Sequence, residues 1–532
     1  MAHILSANFA MHGLWNNALV NLGFMTFVTF SMVYFIVNRR MVSISPGIKA
    51  PYAINYLRFA PHSLANCLYV FYAGLLIEAG YQKPTRGPSQ FKTSAYMLAR
   101  SDVNMIVLPA SAVTELSSLP NQIANGLLAL ERDMLGKWTG LHMDVESRLH
   151  HKVVQRKVTP NLEILTPTVE EEVRNSFLDY LPQNCENDWV EIEPYYVLLK
   201  VTARISGRVL IGFPICRDER WLDFAMIFTQ EVFGSLIIMR WFPPWLYSTL
   251  AFFLPSVRRA KDYIRQGHEI LEPAFKKRLG EIDDKKDKSE TIGDGFSWFA
   301  ELAQGEDRYP AKLTHFEILL ALASIHTTLL REVNFLYDMI ARPLLVDELR
   351  KEIADSSEFG WNATSYAQLG KLDSALRESQ RTSPPTLIGL RHIMKQSYTM
   401  SDSTFLHKGS YVCVPAYSIE NNPANTQNPH VFDGLRDYKK RATHVKPKSQ
   451  HLYTTPEPSM SGFSYGKSAC LGRFFAVLIL KTIFVKPLIE YDLRFTSGAT
   501  EKPENCHAHE FIFPHPATKI LIKKRAKSTA PF

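Results

Sequence analysis

The chain has 532 residues, 46% of them hydrophobic and 12% aromatic, enough for a large core and an apolar ligand pocket and too apolar for a disordered or low-complexity chain. Its formal charge of +8 is spread along the sequence, which fits an anionic partner or a membrane surface and gives no support to a nucleic-acid partner. Cys67, Cys185, Cys216, Cys413, Cys470 and Cys506 form no C-x-x-C pair, which argues against a disulfide framework or structural zinc site and for a reducing compartment.

The first element is LWNNALVNLGFMTFVTFSMVYFIV, from Leu14 to Val37, followed by Asn38, Arg39 and Arg40. It carries no charge and has about the 20 residues that a bilayer crossing requires. The basic start, short apolar region and small-residue cleavage site of a signal peptide are not evident. The arginine pair after the span favours a cytosolic body. Residues 1–40 therefore read as a membrane anchor with its helix at about 14–37, residues 41–60, with Pro46 and Pro51, as a stiff linker, and residues 61–532 as one large domain.

Up to about Ala110 the chain mixes aromatic-rich segments with β-like runs such as NMIVLPA. From Pro120 to about Arg350 the apolar spacing is mainly helical. Past Pro384 come short strands and turns, TLIGLRHIM and SYVCVPAY, and a last long helix starts after Cys470. No internal repeat or linker interrupts residues 50–525, so the expected fold class is mainly α with a minor β portion. The charge run KKRLGEIDDKKDKSE, from Lys276, reads as a solvated face or loop. RWFPPWLYSTLAFFLP, from Arg240, reads either as a core connector or as a surface element dipping into a membrane interface, where Trp is favoured.

The stretch FSYGKSACLGRFF, Phe463 to Phe475, holds a lone cysteine between two glycines. Most free cysteines are buried core thiols, and the alternative is a thiolate that binds something. Phe463, Gly466, Cys470, Gly472, Arg473 and Ala476 follow the spacing F-x-x-G-x-x-x-C-x-G-R-x-x-A. This resembles the haem-binding loop of the cytochrome P-450 superfamily, and RFFAVLILK after it is similar to the fungal branch. The resemblance implies that Cys470 is the axial ligand of haem iron, a thiolate that pushes electron density and favours O–O cleavage. Backbone N–H donors at a loop entering a helix would stabilise it. Gly466 would permit a tight turn with positive φ, Gly472 a close approach of backbone to the porphyrin, and Phe463 would shield the sulfur. Two positions depart from the family pattern: Ser464 stands where a second glycine is usual, and Ser468 where an Arg or His often contacts a haem propionate. Lys467 lies beside it as a further candidate contact.

Other stretches carry the same resemblance, from roughly Gly80 to Leu493. In KLDSALRESQR, Glu378 and Arg381 form an E-x-x-R that shares a helix face. With Arg436, near PHVFDGLRDY, it is similar to the family's buried Glu–Arg–Arg cluster, a structural element that supports haem incorporation. In HFEILLALASIHTTLLREVNFLYDMI, from His315, the segment Ala323-Ser324-Ile325-His326-Thr327-Thr328 resembles the oxygen-activation helix. Thr327 takes the hydroxyl position that helps deliver protons, Ala323 leaves room for oxygen, and His326 and Ser324 replace the usual acid and glycine. Arg391, in TLIGLRHIMKQ, stands at a propionate-contacting position. LHHKVVQRKVTPNL resembles the helix at the haem edge, making His150 or His151 and Lys157 candidates. VTARISGRVLIG also resembles fungal members.

Cys506-His507-Ala508-His509 lacks the second half-site of a metal clip. Asn362-Ala363-Thr364 is a glycosylation sequon that a cytosolic body would leave unmodified. No Walker or Rossmann fingerprint is present, so nicotinamide would not bind this chain directly. The resemblance implies a haem-thiolate monooxygenase of the fungal secondary-metabolism type, similar to gibberellin and indole-diterpene pathway members. It would hold haem b (iron protoporphyrin IX) and use dioxygen, with electrons from NADPH through a separate reductase docking near Lys467 and Lys439-Lys440-Arg441. It would sit on the endoplasmic reticulum membrane by a single span, and hydroxylate or repeatedly oxidise a lipophilic terpenoid or indole-diterpene-like substrate. Two alternatives stay open: a haem-thiolate isomerase or dehydratase that needs no dioxygen, suggested by His326, and a non-catalytic membrane haem-binding protein.

Overall fold

In the computed structural model the described residues are 62–82, 94–100, 102–142, 147–284, 293–358, 360–443, 450–526 and 528–532. The anchor expected at about 14–37 and its linker lie outside them. In chain order the principal helices are α1 (His62–Gln82), α2 (Ala112–Ser118), α3 (Gly126–Asp133), α4 (Leu149–Val153), α5 (Leu162–Tyr180), α6 (Pro194–Leu210), α7 (Glu219–Met239) and α8 (Tyr247–Phe253). They continue with α9 (Pro255–Asp284), α10 (Gly295–Leu302), α11 (Pro310–Ile340), α12 (Pro343–Ser357), α13 (Gly370–Thr382), α14 (Arg436–Thr443) and α15 (Arg473–Glu490). The fold class is the expected one, mainly helical with a minor β portion.

Helix α11 runs through the middle of the helical layer. It begins at Pro310, five residues before the expected His315, because proline has no N–H to lose at a first helical position and its fixed φ suits the turn. It packs against α6, α7, α9, α12, α13 and α15, and Leu313, Phe316, Ile318, Leu329, Val333 and Phe335 along it are fully buried. Helix α15 is apolar almost all round, and Leu480, Ile483 and Val485 are completely enclosed, as expected of a helix with no solvent face. Among the described helices α7 and α11 are long and apolar enough to cross a membrane, but both bury most of that surface in the core.

The strands are β1 (Tyr96–Arg100), β2 (Val103–Val107), β3 (Ala124–Asn125), β4 (Val190–Ile192), β5 (Gly389–Met394), β6 (Tyr398–Thr399), β7 (Phe405–Leu406), β8 (Tyr411–Val414), β9 (Tyr491–Phe495), β10 (Cys506–Ala508), β11 (Phe511–Phe513) and β12 (Ile520–Lys524). The main sheet has the order β1-β2-β8-β5-β3, with a second apolar cluster between it and α1. β1 and β2 form a hairpin in the register Tyr96↔Val107 to Arg100↔Val103, and β2 runs parallel to β8. A bulge between Gly389 and His392 interrupts the β5–β8 pairing, and Leu390 within it has φ +47°. Bulges of this kind re-aim the side chains beside them, here Arg391 and His392.

Two expectations about loops are refined. The charge run from Lys276 continues α9 as far as Asp284. The aromatic stretch from Arg240 breaks at Pro243 and Pro244 and then forms α8. It is not a plain core connector: Tyr247 and Ala251 point inward, whereas Trp241, Trp245, Phe252 and Phe253 are 49%, 58%, 74% and 68% exposed.

Candidate active site

The cysteine loop closes on itself. The Cys470 N–H donates to the Phe463 carbonyl at 2.8 Å, and the Ser464 N–H to the Ser461 carbonyl at 2.6 Å. Gly466 has φ +60°, and a Cβ there would lie 2.5 Å from Ser117 Oγ on α2, so both backbone and space demand glycine. Gly472 meets nothing nearer than the Cys470 sulfur at 4.0 Å, which leaves open space beside the thiol. Ser464 also takes a left-handed conformation, φ +62°, where a side chain is strained. Phe463 is buried while Cys470 is exposed. Cys185, Cys216 and Cys413 are the buried core thiols of this chain, and burial pushes Cys216 up to about 11 and Cys413 to about 12.

Ala323 and Thr327 are exposed in the largely enclosed middle of α11, one turn apart on one face. The Thr327 hydroxyl donates to the Ala323 carbonyl at 2.6 Å, and Ser324 makes a longer bond, 3.3 Å, to the Ala321 carbonyl. Arg331 follows one turn later on the same face. Its guanidinium lies 4.4 Å from the centre of the Phe463 ring and donates to the Gly462 carbonyl at 3.3 Å. The Ala323–Thr327 face and the cysteine loop therefore border the same space.

His326 does not share that face. Its imidazole is buried against α7, with Nε2 donating to the Ala225 carbonyl at 3.2 Å, and burial lowers its pKa to about 4. Successive helical side chains diverge by about 100°, so the neighbour of Thr327 points into the adjacent helix rather than beside it.

Glu378, Arg381 and Arg436 come together on α13 and the start of α14. Arg381 makes a two-pronged contact with Glu378 at 2.8 and 2.7 Å, and Arg436 makes a second at 3.1 Å to each oxygen. The Asp433 N–H adds a bond of 3.0 Å, and Arg381 also donates to the Pro429 carbonyl.

The weaker candidates are differently engaged. Arg391 Nη1 donates to Asp133 at 3.0 Å. His150 is buried and stacks on Phe316, 5.5 Å between ring centres. His151 is partly buried, and its pKa falls to about 4 through desolvation and the nearby Arg148. Lys157 pairs with Glu301, and Lys467 donates to the Ser118 carbonyl at 2.7 Å. Of the proposed docking cluster, Lys440 pairs with Asp437, Arg441 folds back onto the Gly370 and His451 carbonyls, and Lys439, the most exposed of the three, pairs with Asp433 at 3.0 Å.

Several residues here had no signal in the sequence. The Ser468 hydroxyl lies 3.1 Å from His392 Nε2, while His392 Nδ1 donates to the Leu390 carbonyl at 2.8 Å. Nε2 is then the acceptor, so Ser468 donates to a neutral ring. Asp133 is fully buried and receives Arg100 at 2.8 Å, Arg391 and the Tyr411 hydroxyl at 2.7 Å. Arg100 and Arg240 both reach Glu510 in the β10–β11 turn; although burial opposes it, they hold that carboxyl well below the usual range. These partners lie from 33 to 410 residues apart, which no local pattern reveals.

An exposed thiol on a closed loop, open space beside Gly472, and a small-residue helix face bordering the same space together fit a haem held through Cys470. The comparisons with known proteins point the same way. The family model for cytochrome P-450 matches residues 130–522. The cytochrome P-450 monooxygenase paxP of Penicillium paxilli is 32% identical over 505 residues, covering 93% of this chain and 94% of that one. Ent-kaurene oxidase of Gibberella intermedia is 28% identical over 492 residues, covering 91% and 90%. Among solved structures, the retinoic acid-bound cyanobacterial CYP120A1 superposes with a TM-score of 0.59 at 16% identity, covering 81% of this chain and 91% of that chain, a likeness of fold.

Proposed function

This chain belongs to the cytochrome P-450 family and is a monooxygenase, and from that premise we propose that it is a membrane-anchored enzyme that hydroxylates or repeatedly oxidises a lipophilic natural product of terpenoid or indole-diterpene character. The observation that carries the reading is the exposed Cys470 on a loop that Arg331 ties to the Ala323–Thr327 face. Haem b bound there would supply oxygen activation, helped by thiolate donation. Ala323 leaves space over the reacting centre. The Thr327 hydroxyl, now on the Ala323 carbonyl, is placed to hold a proton or a water there. His326 is neutral and braces α11 against α7. The Glu378–Arg381–Arg436 cluster would support haem incorporation, and the Ser468–His392 pair with Arg391 would face the propionates.

Electrons would come from NADPH through a reductase docking near Lys439 and Lys467, the exposed cations of that side. Residues 1–40 would anchor the chain in the endoplasmic reticulum membrane and residues 61–532 would form the cytosolic catalytic body. Exposed Phe71, Tyr72 and Leu75 on α1, with Trp241 5.5 Å from the Phe71 ring, support a membrane-facing side. The substrate class is supported by the ent-kaurene in the name of ent-kaurene oxidase. With His326 turned onto Ala225, the feature that suggested a dioxygen-independent isomerase does not share the Thr327 face.

The test is the reduced carbon-monoxide spectrum of the native protein and Cys470→Ala, with oxidation of diterpene and indole-diterpene substrates by the reductase-reconstituted enzyme. The thiolate band should be present in the first and absent in the second, and oxidised product should require dioxygen, NADPH and reductase. A retained thiolate band in Cys470→Ala, or product formed without dioxygen, would overturn the reading. Thr327→Ala should keep consuming NADPH while product falls about tenfold or more, since a positioned proton donor is worth a factor of about 100 or more.

A further inference from the structure

Arg331 belongs to none of the motifs, yet it is held at several points. Nε donates to Gln380 Oε1 at 2.7 Å and Nη2 to the Gly462 carbonyl, and the plane sits over the Phe463 ring. Gln380 lies inside the E-x-x-R helix, between Glu378 and Arg381, and the same oxygen receives the Tyr453 hydroxyl at 2.6 Å. Tyr453 in turn packs on Phe463, 5.1 Å between ring centres. Gly462 has no room for a side chain: a Cβ would fall 1.6 Å from Gln380 Nε2. The loop is thus clamped from α11 and α13 at the residue whose carbonyl holds the Cys470 N–H.

Arg377, Arg381 and Arg436 each pair with a carboxylate, whereas Arg473 within the loop rests, like Arg331, on carbonyls and an aromatic face. Among the described residues Arg331 has neutral partners: an amide, a carbonyl and an aromatic face. A guanidinium stays protonated under all relevant conditions, so a net positive charge is fixed next to the loop. In a site of low dielectric such a charge stabilises nearby anions and the more negative redox state.

We propose that Arg331 is a positioning residue for Cys470: clamped over Phe463, it sets the loop and lends the proximal side a positive charge that favours the thiolate and the reduced haem. The inference rests on Cys470 being the axial ligand. It adds that the control comes from the helix that carries Thr327, through one cation–aromatic contact.

The experiment is a redox titration of the full-length holoprotein and two variants, with the lifetime of the thiolate band in the reduced carbon-monoxide complex. Arg331→Gln removes the charge. Gln380→Glu leaves Arg331 in place and sets a carboxylate against it. Both should move the reduction potential to more negative values and shorten the lifetime of the thiolate band, and Arg331→Lys should lie between Arg331→Gln and the native protein. An arginine of structural importance alone would lower holoprotein yield and melting temperature but leave the potential of the folded fraction unchanged. An unchanged potential in Arg331→Gln overturns the proposal, and if that variant does not accumulate, an unchanged potential in Gln380→Glu does so. Cys470→Ala separates the two readings: a surviving thiolate band there defeats the ligand assignment itself, whatever Arg331 does.

Discussion

Glu378 and Arg381 face each other one helical turn apart with both side chains fully enclosed, and two hydrogen bonds of 2.7 and 2.8 Å join them. Arg436 adds a second guanidinium to the same carboxylate from outside the helix. Enclosed ions are tolerated only when every oxygen and N–H is matched, and removing one partner strands the others. Glu378→Ala should therefore cost about 3–5 kcal/mol, the range for breaking a buried ion pair. Denaturant unfolding would measure it, and haem content at matched expression should fall with it. A loss below about 1 kcal/mol would place the cluster among ordinary surface pairs.

Ser464 gives a prediction of the opposite sign. Its φ of +62° puts a β-carbon where only glycine is at ease, immediately after Phe463. The left-handed conformation costs about 1–2 kcal/mol for a residue with a side chain. Glycine would relieve that but would add about 0.4–1 kcal/mol of freedom to the unfolded chain. Ser464→Gly should thus stabilise the protein by about 0.5–1 kcal/mol, read as a raised denaturation midpoint with an unchanged slope. A destabilised variant would mean that the serine hydroxyl contributes something the strain does not reveal.

These residues also show where sequence and structure part company. Cys470, Gly466 and Phe463 lie within one loop, and Glu378 and Arg381 within one turn, so a resemblance carried by local spacing makes them legible. Arg436 and Glu378 needed a resemblance to bring them together. Arg331, Gln380, His392 and Asp133 were invisible, because each draws its meaning from a partner far along the chain: Arg331 from Gly462, His392 from Ser468, Asp133 from Arg391. The helical and strand portions were readable from periodicity and from proline punctuation. Direction within an element is not carried by a motif, so His326 and Thr327 stand together in the sequence pattern although the two point to different faces.

His326 leads to a pH dependence. Burial holds its folded-state pKa at about 4, against about 6.5 in an unfolded chain. Between those values the unfolded chain binds a proton that the folded chain does not, so stability rises with pH across this window and is level above it. His151 and His509 are also lowered to about 4, chiefly by burial, and share the same acid limb. His326→Asn, whose amide can still donate to the Ala225 carbonyl, should reduce the slope of unfolding free energy against pH by up to about one proton between pH 4 and 6.5. Unfolding series at several pH values would measure the slope. An identical slope in variant and parent would mean that the imidazole is charged in the folded state.

The exposed aromatic surface makes the last prediction. Phe71, Tyr72 and Leu75 on α1 are 59%, 52% and 69% exposed, and Phe252 and Phe253 at the end of α8 are 74% and 68% exposed. Trp241, between α7 and α8, makes an edge contact with Phe71. An apolar surface of this extent is unusual on a freely soluble face and suits contact with the acyl boundary, where each buried side chain gains about 25 cal/mol per Å². With residues 1–40 removed, the remaining chain should still bind vesicles. Phe252→Glu with Phe253→Glu should weaken that binding by about tenfold or more, equivalent to about 1.4 kcal/mol. Co-sedimentation with phosphatidylcholine vesicles reads this directly, and the folded state can be checked from the thiolate band. Because these side chains are already in water, the substitutions should leave stability nearly unchanged, which separates loss of a membrane contact from loss of fold. Undiminished vesicle binding by the double variant would assign the surface to something other than the bilayer.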